Sequence, residues 1–254
     1  MRIRVDQKAP GGRETDMGRV AVVFPAYNEE RHVADCVQAA LSAGVGLVVV
    51  VNDCSADATG PIINRLASDP RVEAIHHRVN QGKQAAVVHG LQAATGRPGW
   101  EAVAVLDADM QDDPAHLAGL CHLIGPYDLV IGCRGRGDMP AVRRLANLLA
   151  NAPYAMLAGI PVRDIQSGYR VYSREAGEYL ARHLGEVGRY TFEHTSILLF
   201  GQLACARGRD FRIAEVPVAY TYADAKSSIR LRDKLQLTWA SVYHALALAQ
   251  LRRA

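Results

Sequence analysis

The residues best placed to do chemistry are Asp107, Asp109 and Gln111, which follow the apolar run Val103-Ala104-Val105-Leu106. In an extended backbone, side chains two residues apart share a face, so these three would present oxygen ligands together at the carboxyl end of a buried strand. Two carboxylates and an amide oxygen are hard donors, and the cations they suit are Mg²⁺ and Mn²⁺. The acids that follow read differently. Asp113-Pro114 has the pattern of an N-cap followed by proline at the first helical position, and Asp112 is grouped with it as part of a helix start.

A site of this kind needs a scaffold that delivers several strand ends to one edge. Apolar runs predict strands over 19–24, stopped by Pro25, and over 46–51, 72–76, the run into Asp107, and 128–132. Helical patterns lie between them. The first has Asn28 as N-cap, Glu29 and Glu30 in its first turn, and a stripe of Val33, Cys36, Val37, Ala40 and Leu41. Others carry Ile62, Ile63 and Leu66, the Ala-rich stretch between Lys83 and Gly96, and the segment after Pro114. Alternation of this kind predicts an α/β fold with a mostly parallel central sheet, helices on both faces and ligands at the strand ends. Beyond Arg134 the pattern shifts to helices over 141–157, 175–184 and 192–206, a strand over 211–218, a polar loop over 222–230 and a last helix from Leu231. Residues 1–18 are polar, without the apolar segment of a secretory signal, and are expected to be a flexible leader.

Composition narrows the chemistry further. The 254 residues are 49% hydrophobic and 22% charged with a formal net charge of +3, an ordinary globular balance with no basic excess for coating nucleic acid. The five cysteines, an odd number without a C-x-x-C pair, fit a reducing, cytoplasmic compartment. No G-x-G-x-x-G follows the first strand, which argues against a nicotinamide dehydrogenase. His76 and His77 are adjacent and face opposite ways on a strand, and His32, His116 and His122 have no matching carboxylate set, so no zinc site is expected.

Five segments occur in an order that resembles the family 2 glycosyltransferases. They are Pro25-Ala26-Tyr27-Asn28-Glu29-Glu30, Asn52-Asp53-Cys54-Ser55-Ala56-Asp57, Asn80-Gln81-Gly82-Lys83, Asp107-Ala108-Asp109-Met110-Gln111 and Gln166-Ser167-Gly168-Tyr169-Arg170. The likeness is greatest to the dolichol- or polyprenol-phosphate mannosyltransferase-like branch, and it implies the GT-A fold. It also implies an inverting transfer from a nucleotide diphosphate sugar, dependent on Mg²⁺ or Mn²⁺, to an acceptor that in this branch is a polyprenyl phosphate. The organisation that follows is a single catalytic domain over 19–233, with a nucleotide-sugar half (19–134) and an acceptor half (135–233), and a C-terminal amphipathic helix over 234–254.

Carried over by position, the resemblance implies that Pro25, Ala26, Tyr27 and Glu29 line the nucleoside and that Asp53 contacts the base. Asp107 would sit near ribose and metal, Asp109 and Gln111 would be direct ligands, and Ala108 lies between them against the donor. Arg134 follows the fifth strand where the family often has Gly-Ser-Arg. It and the pair Arg143 and Arg144 match arginines that hold an acceptor phosphate or donor diphosphate, a role suited to the planar guanidinium. Lys83 stands in the first turn of a helix, where the macrodipole disfavours a cation unless a diphosphate is near; the alternative is a solvated lysine. Glu193, in Tyr190-Thr191-Phe192-Glu193-His194, is the candidate general base, against the alternative of an acid that complements a helix start.

Two departures stand out: Asn52 and Cys54 replace the Asp and Gly of the usual Asp-Asp-Gly-Ser run, and the loop 222–229 lacks the arginine and glycine common in mannosyltransferases. Lys226, Ser227 and Ser228 in that loop suit a phosphate-closing lid. The last helix, uncharged over 235–251 and striped by Leu235, Trp239, Val242 and Leu246, fits a core or homodimer helix on one reading. On the other it is a peripheral helix at the inner face of the plasma membrane. Two other functions stay open at this point, a sugar-phosphate nucleotidyltransferase and a non-catalytic nucleotide-sugar-binding module.

Overall fold

The computed structural model describes residues 2–7, 12, 14–135, 141–185, 192–220 and 231–251, and side chains at 142–143 and 231–238 fall outside that description. The strands are Ile3–Asp6 (β1), Val20–Ala26 (β2), Leu47–Asn52 (β3), Val72–His76 (β4), Ala102–Val105 (β5), Leu129–Arg134 (β6), Arg170–Ser173 (β7) and Phe211–Val218 (β8). They form one sheet in the order β1-β8-β6-β7-β5-β2-β3-β4. All pairings are parallel except those of β7, which runs antiparallel to both β5 and β6. The carboxyl ends of β2, β3, β5, β6 and β8 therefore share one edge.

The central strands β2, β3, β5 and β6 are dry on both sides because they are apolar at almost every position. Val20, Val22 and Phe24 of β2 pack into a cluster with Val37, Ile63, Leu120 and Tyr169. Ala21 and Val23 pack into the opposite cluster, with Leu91, Val103 and Phe200. Each such Val, Leu or Phe contributes roughly 1.5–3 kcal/mol of burial, which is why both faces need helical cover. The helices are Val33–Ser42 (α1), Thr59–Leu66 (α2), Lys83–Thr95 (α3), Leu117–Cys121 (α4), Ala141–Ala158 (α5), Arg174–His183 (α6), Phe192–Arg207 (α7) and Leu231–Leu251 (α8). A Cβ on Gly90 would lie 2.2 Å from Val23 Cγ1. That glycine lets α3 press directly on β2 and so fixes the position of Lys83 at the front of the helix.

The structure corrects four expectations. Ile3–Asp6 is not a leader but an edge strand paired in parallel with β8, Ile3 opposite Phe211 and Val5 opposite Ile213. Its partner lies some two hundred residues away, so no local pattern announces it. Strand β2 continues through Pro25 to Ala26, opposite Val51 and Asn52. Its pairing with β5 has ended at Val23, so the missing proline N–H faces an open side. Asn28 does not cap the first helix, which begins at Val33. It takes φ 58°, a left-handed conformation that asparagine tolerates, and its Oδ1 accepts from Ala56 N at 2.9 Å. Strand β7, only four residues long, was absent from the sequence pattern. All five cysteines are free thiols.

Candidate active site

The acids at the end of β5 converge by a turn rather than by strand alternation. Regular pairing stops at Val105, Leu106 N donates once more to Val23 O at 3.1 Å, and the chain then turns through Met110, at φ 56°. Within the turn Asp109 Oδ1 accepts from Gln111 N at 3.1 Å. Asp107 turns toward the loop before β7, where a Cβ on Gly168 would come within 2.8 Å of Asp107 Oδ2. The glycine of Gln166-Ser167-Gly168-Tyr169-Arg170 thus makes room for the first aspartate of the site.

Negative charge is crowded here. Burial, then the charge of Asp107, raises the Asp109 carboxyl above the usual aspartate range. Glu29, from the loop after β2, is pushed up to about 7 by burial and then by Asp109, Asp107 and Asp57. Asp112 is pushed up to about 8 by burial, Asp107 and Asp109, against the opposing pull of Arg134 and Lys83. Asp112 was expected to start a helix. Instead its side chain is buried, its Oδ1 has no hydrogen-bond partner, and its backbone bridges Tyr220. The helix-start role belongs to Asp113 alone, whose Oδ1 accepts from Ala115 N at 2.9 Å ahead of Pro114. Tyr220 donates its hydroxyl to Gln111 Oε1, tying the end of β8 to the acidic turn.

Lys83 is the cation set against this cluster. Its Nζ lies 2.7 Å from Asp107 Oδ1 and 2.9 Å from Glu193 Oε1. Burial opposes the charged amine, but Asp107 and Glu193 outweigh it and the lysine pKa is raised. Lys83 is therefore no solvated surface residue. Glu193, in the first turn of α7, is buried and reaches the site through Lys83. Its place depends on Arg170, which is fully buried and donates to the carbonyls of Ser167, Ile165 and Glu193 and to Ser196 Oγ. Arg170 so clamps the Gly168 loop to the start of α7 and sets Glu193 opposite Asp107.

Other expected residues stand elsewhere. Asp53 is buried, and both its oxygens are used: Oδ1 accepts from Gln81 N at 2.8 Å and lies 2.8 Å from His77 Nδ1, and Oδ2 accepts from Gly82 N at 2.7 Å. Its carboxylate holds the loop that presents Lys83. Arg134 is paired with Asp164, Nε to Oδ2 at 2.7 Å and Nη2 to Oδ1 at 2.6 Å, with Tyr220 5.6 Å from the guanidinium. Ala26 and Ala108 are buried in the apolar cluster, Pro25 is half-buried, and Tyr27 is exposed at the rim. The Arg143 side chain, Tyr190, Thr191, the loop holding Lys226, Ser227 and Ser228, and the terminal Arg252 and Arg253 lie outside the described residues.

The departures at Asn52 and Cys54 have local explanations. Asn52 Oδ1 accepts from Ser55 N at 3.0 Å, and its Nδ2 meets His76 Nδ1 at 3.1 Å, where the amide can donate to a bare ring nitrogen and an aspartate would instead need the hydrogen on Nδ1. Cys54 takes φ 60°, the conformation that the usual glycine adopts without cost. Sequence reasoning missed Asp112, Tyr220, Asp164 and the clamp by Arg170. Only the last lay within a recognised motif.

An open, largely parallel sheet that gathers acids and a buried lysine at the carboxyl edge of its central strands is built to handle a nucleotide. Residues 21–180 match the model of Glycosyl transferase family 2. The chain belongs to that family and is a glycosyltransferase. It is 30% identical over 231 residues to the polyprenol monophosphomannose synthase of Mycolicibacterium smegmatis, covering 84% of each chain. To glycosyltransferase AglD of Haloferax volcanii it is 29% identical over 229 residues, which is 85% of this chain but 35% of that one. Among solved structures, the glucosyl-3-phosphoglycerate synthase of Mycobacterium tuberculosis, determined with Mn²⁺, UDP and glucosyl-3-phosphoglycerate, superposes with a TM-score of 0.65. It is 20% identical, with 98% of this chain and 88% of that chain covered, and this supports the GT-A fold.

Proposed function

We propose that the protein transfers a sugar, with inversion, from a nucleoside diphosphate donor to a polyprenyl phosphate, using Mg²⁺ or Mn²⁺ held by Asp107, Asp109 and Gln111. The observation that carries this is the crowded acidity at the end of β5, beyond what Lys83 offsets, where Asp109, Glu29 and Asp112 are all shifted toward protonation, first by burial and then by the charge of Asp107, joined at Glu29 and Asp112 by that of Asp109. A hard cation relieves that crowding. Among the described residues no three His, Cys, Asp or Glu side chains form a complete metal cage. Two aspartates and an amide oxygen are nonetheless a fitting set, because Mg²⁺ binds one or two carboxylates and takes its other ligands from phosphates and water. When bound, the ion would offset the charge that develops on the leaving diphosphate.

The rest of the reaction falls to the chain's own groups. Lys83 is close enough to Asp107 to reach a diphosphate held there. An acceptor phosphate oxygen attacks the anomeric carbon opposite the diphosphate, whose glycosidic bond breaks with the electron pair leaving on the phosphate oxygen. A phosphate acceptor is already ionised near neutral pH, so no base is required. That suits Glu193, whose carboxylate is engaged by Lys83 rather than free. The relative named as a polyprenol monophosphomannose synthase supports the acceptor class. The test is transfer from UDP- and GDP-sugars to a short-chain polyprenyl phosphate with Mn²⁺. Lipid-linked product that disappears with chelator is expected, whereas transfer only to hydroxyl acceptors would overturn the acceptor and return Glu193 to the role of base.

A further inference from the structure

The adjacent histidines at the end of β4 pair one for one with the adjacent residues at the end of β3. His76 Nδ1 lies 3.1 Å from Asn52 Nδ2, and its Nε2 lies 2.9 Å from Asn64 Oδ1 on α2. His77 faces the other way, with Nδ1 2.8 Å from Asp53 Oδ1 and Nε2 2.8 Å from His89 Nδ1 on α3. The His77 and His89 rings meet edge to face, at 88°. The strand end is thus fastened to α2 on one side and to α3 on the other. These partners fix where the ring hydrogens sit. The Asp53 carboxylate already accepts from Gln81 N and Gly82 N, so His77 must offer it an Nδ1–H. A singly protonated His77 then keeps Nε2 bare, and His89 must donate from Nδ1. At His76 the order reverses, because Asn64 Oδ1 calls for Nε2–H and Asn52 Nδ2 for a bare Nδ1.

We propose that His77, with His89 behind it, is a positioning residue for sugar transfer: it orients the Asp53 carboxylate, which sets the turn at Gln81 and Gly82 and through it the Lys83 amine. Gly82 takes φ 92° and gives α3 no side-chain cap of its own. The turn relies instead on Asp53, 29 residues earlier, whose negative charge also suits the positive end of the helix. The His77 side chain is only 4% exposed, and both its ring nitrogens have partners, so it holds one orientation. The chain of contacts returns to its own start, since His89 and Lys83 stand on the same helix. Lys83 Nζ lies 2.7 Å from Asp107 Oδ1, so the orientation is delivered at the acidic turn. Misplacing a group by about 1 Å there can cost on the order of a hundred-fold in rate. His76, fastened to α2, has no such path to Lys83. The inference rests on the reading above that Lys83 faces the diphosphate.

The first readout is nitrogen NMR of the imidazoles in the full chain at about pH 8, where an imidazole carries a single hydrogen. Nδ1–H is expected at His77 and Nε2–H at His76, each assigned by the signal lost in His77→Phe and His76→Phe. The reverse tautomer at His77 would overturn the proposal. In transfer assays, His77→Phe should lower turnover about ten-fold or more and move the donor KM less than about three-fold, because Lys83 acts where charge builds on the leaving group. His77→Asn, whose amide can stand where the ring Nδ1 stood, should return turnover to within about three-fold of wild type. His76→Phe should leave turnover unchanged. An equal loss in His76→Phe, or no rescue by His77→Asn at equal thermal stability, would reduce His77 to a structural residue and overturn the proposal. Lys83→Met separates the two readings. Wild-type turnover in Lys83→Met counts against the placement of Lys83 at the diphosphate, whereas impaired Lys83→Met beside unaffected His77→Phe counts against the role of His77 alone.

Discussion

The two sides of the active site are built on opposite economies of charge. On the donor side, around β2, β3 and β5, carboxylates are gathered beyond what the protein itself neutralises, with Glu29 held near 7 and Asp112 near 8. On the acceptor side, around β6, α5 and β8, the buried charges among the described residues are met largely by partners within the protein. Arg134 pairs with Asp164, Asn147 donates to Asp164 at 2.6 Å, Asn151 donates to Asn147 at 2.6 Å, and Glu215 accepts from Arg163 N at 2.7 Å. The first arrangement waits for a ligand to complete it, and the second is largely paired within the protein, with Glu215 Oε2 left without a hydrogen-bond partner. Removing a group should therefore cost function on the donor side and stability on the acceptor side.

The largest stability effect is expected from Asp164→Ala, which removes the carboxylate that meets both Nε and Nη2 of the largely buried Arg134. A loss of about 3–5 kcal/mol in unfolding free energy is expected from denaturant titration, as for other broken buried pairs. A loss below about 1 kcal/mol would mean that Arg134 simply turns to solvent and that the acceptor side is not pre-formed.

A smaller effect concerns His194, fully buried between α5, α7 and α8, with Tyr154 Oη and Ser241 Oγ near its Nδ1 and no partner at Nε2. Burial, then Arg170 and His244, depress its pKa to about 3. The native imidazole stays neutral while the unfolded one takes up a proton below its ordinary value of 6.5. Its contribution to stability is thus intact above pH 6.5 and is lost as pH falls toward 3. Between pH 6.5 and 4.5 the loss is on the order of 2 kcal/mol. His194→Gln should flatten that acid limb in thermal melts, and an unchanged slope would assign the acid sensitivity to other groups.

The smallest effect lies on the donor side. Cys54→Gly removes a left-handed strain of about 1–2 kcal/mol and adds about 0.5–1 kcal/mol of unfolded-chain entropy, so a gain of roughly 0.5 kcal/mol is expected. A loss would show that the Cys54 thiol, 3.6 Å from the Arg78 carbonyl, contributes more than its backbone costs.

The same contrast explains what could be read in advance. The donor side is assembled from strand ends, each followed within a few residues by its polar motif. Asp107, Asp109 and Gln111 were therefore legible together, Glu29 entered through the family resemblance and Lys83 as one of two readings, and apolar periodicity predicted β2 to β6 with their intervening helices. Asp53 was legible as important but not in its role, because whether a carboxylate points outward or back into Gln81 and Gly82 depends on a loop nearly thirty residues away. On the acceptor side, Asp164, Asn147, Asn151 and Glu215 carry no motif. They matter only because β6, α5, the loop before β7 and β8 meet in space. Strands β1 and β7 escaped for the same reason, being four residues each and stabilised by distant partners.

The most direct test of the central claim is calorimetric titration of UDP and GDP with Mn²⁺ into the wild type, Asp109→Ala and Asp113→Ala. Asp109→Ala should lose the Mn²⁺-dependent part of nucleotide affinity while keeping or raising thermal stability, because it removes a repelled, partly buried acid. Asp113→Ala should keep that affinity and lose about 1 kcal/mol of stability with its helix cap. Unchanged Mn²⁺-dependent affinity in Asp109→Ala would contradict the placement of the metal and diphosphate at the end of β5.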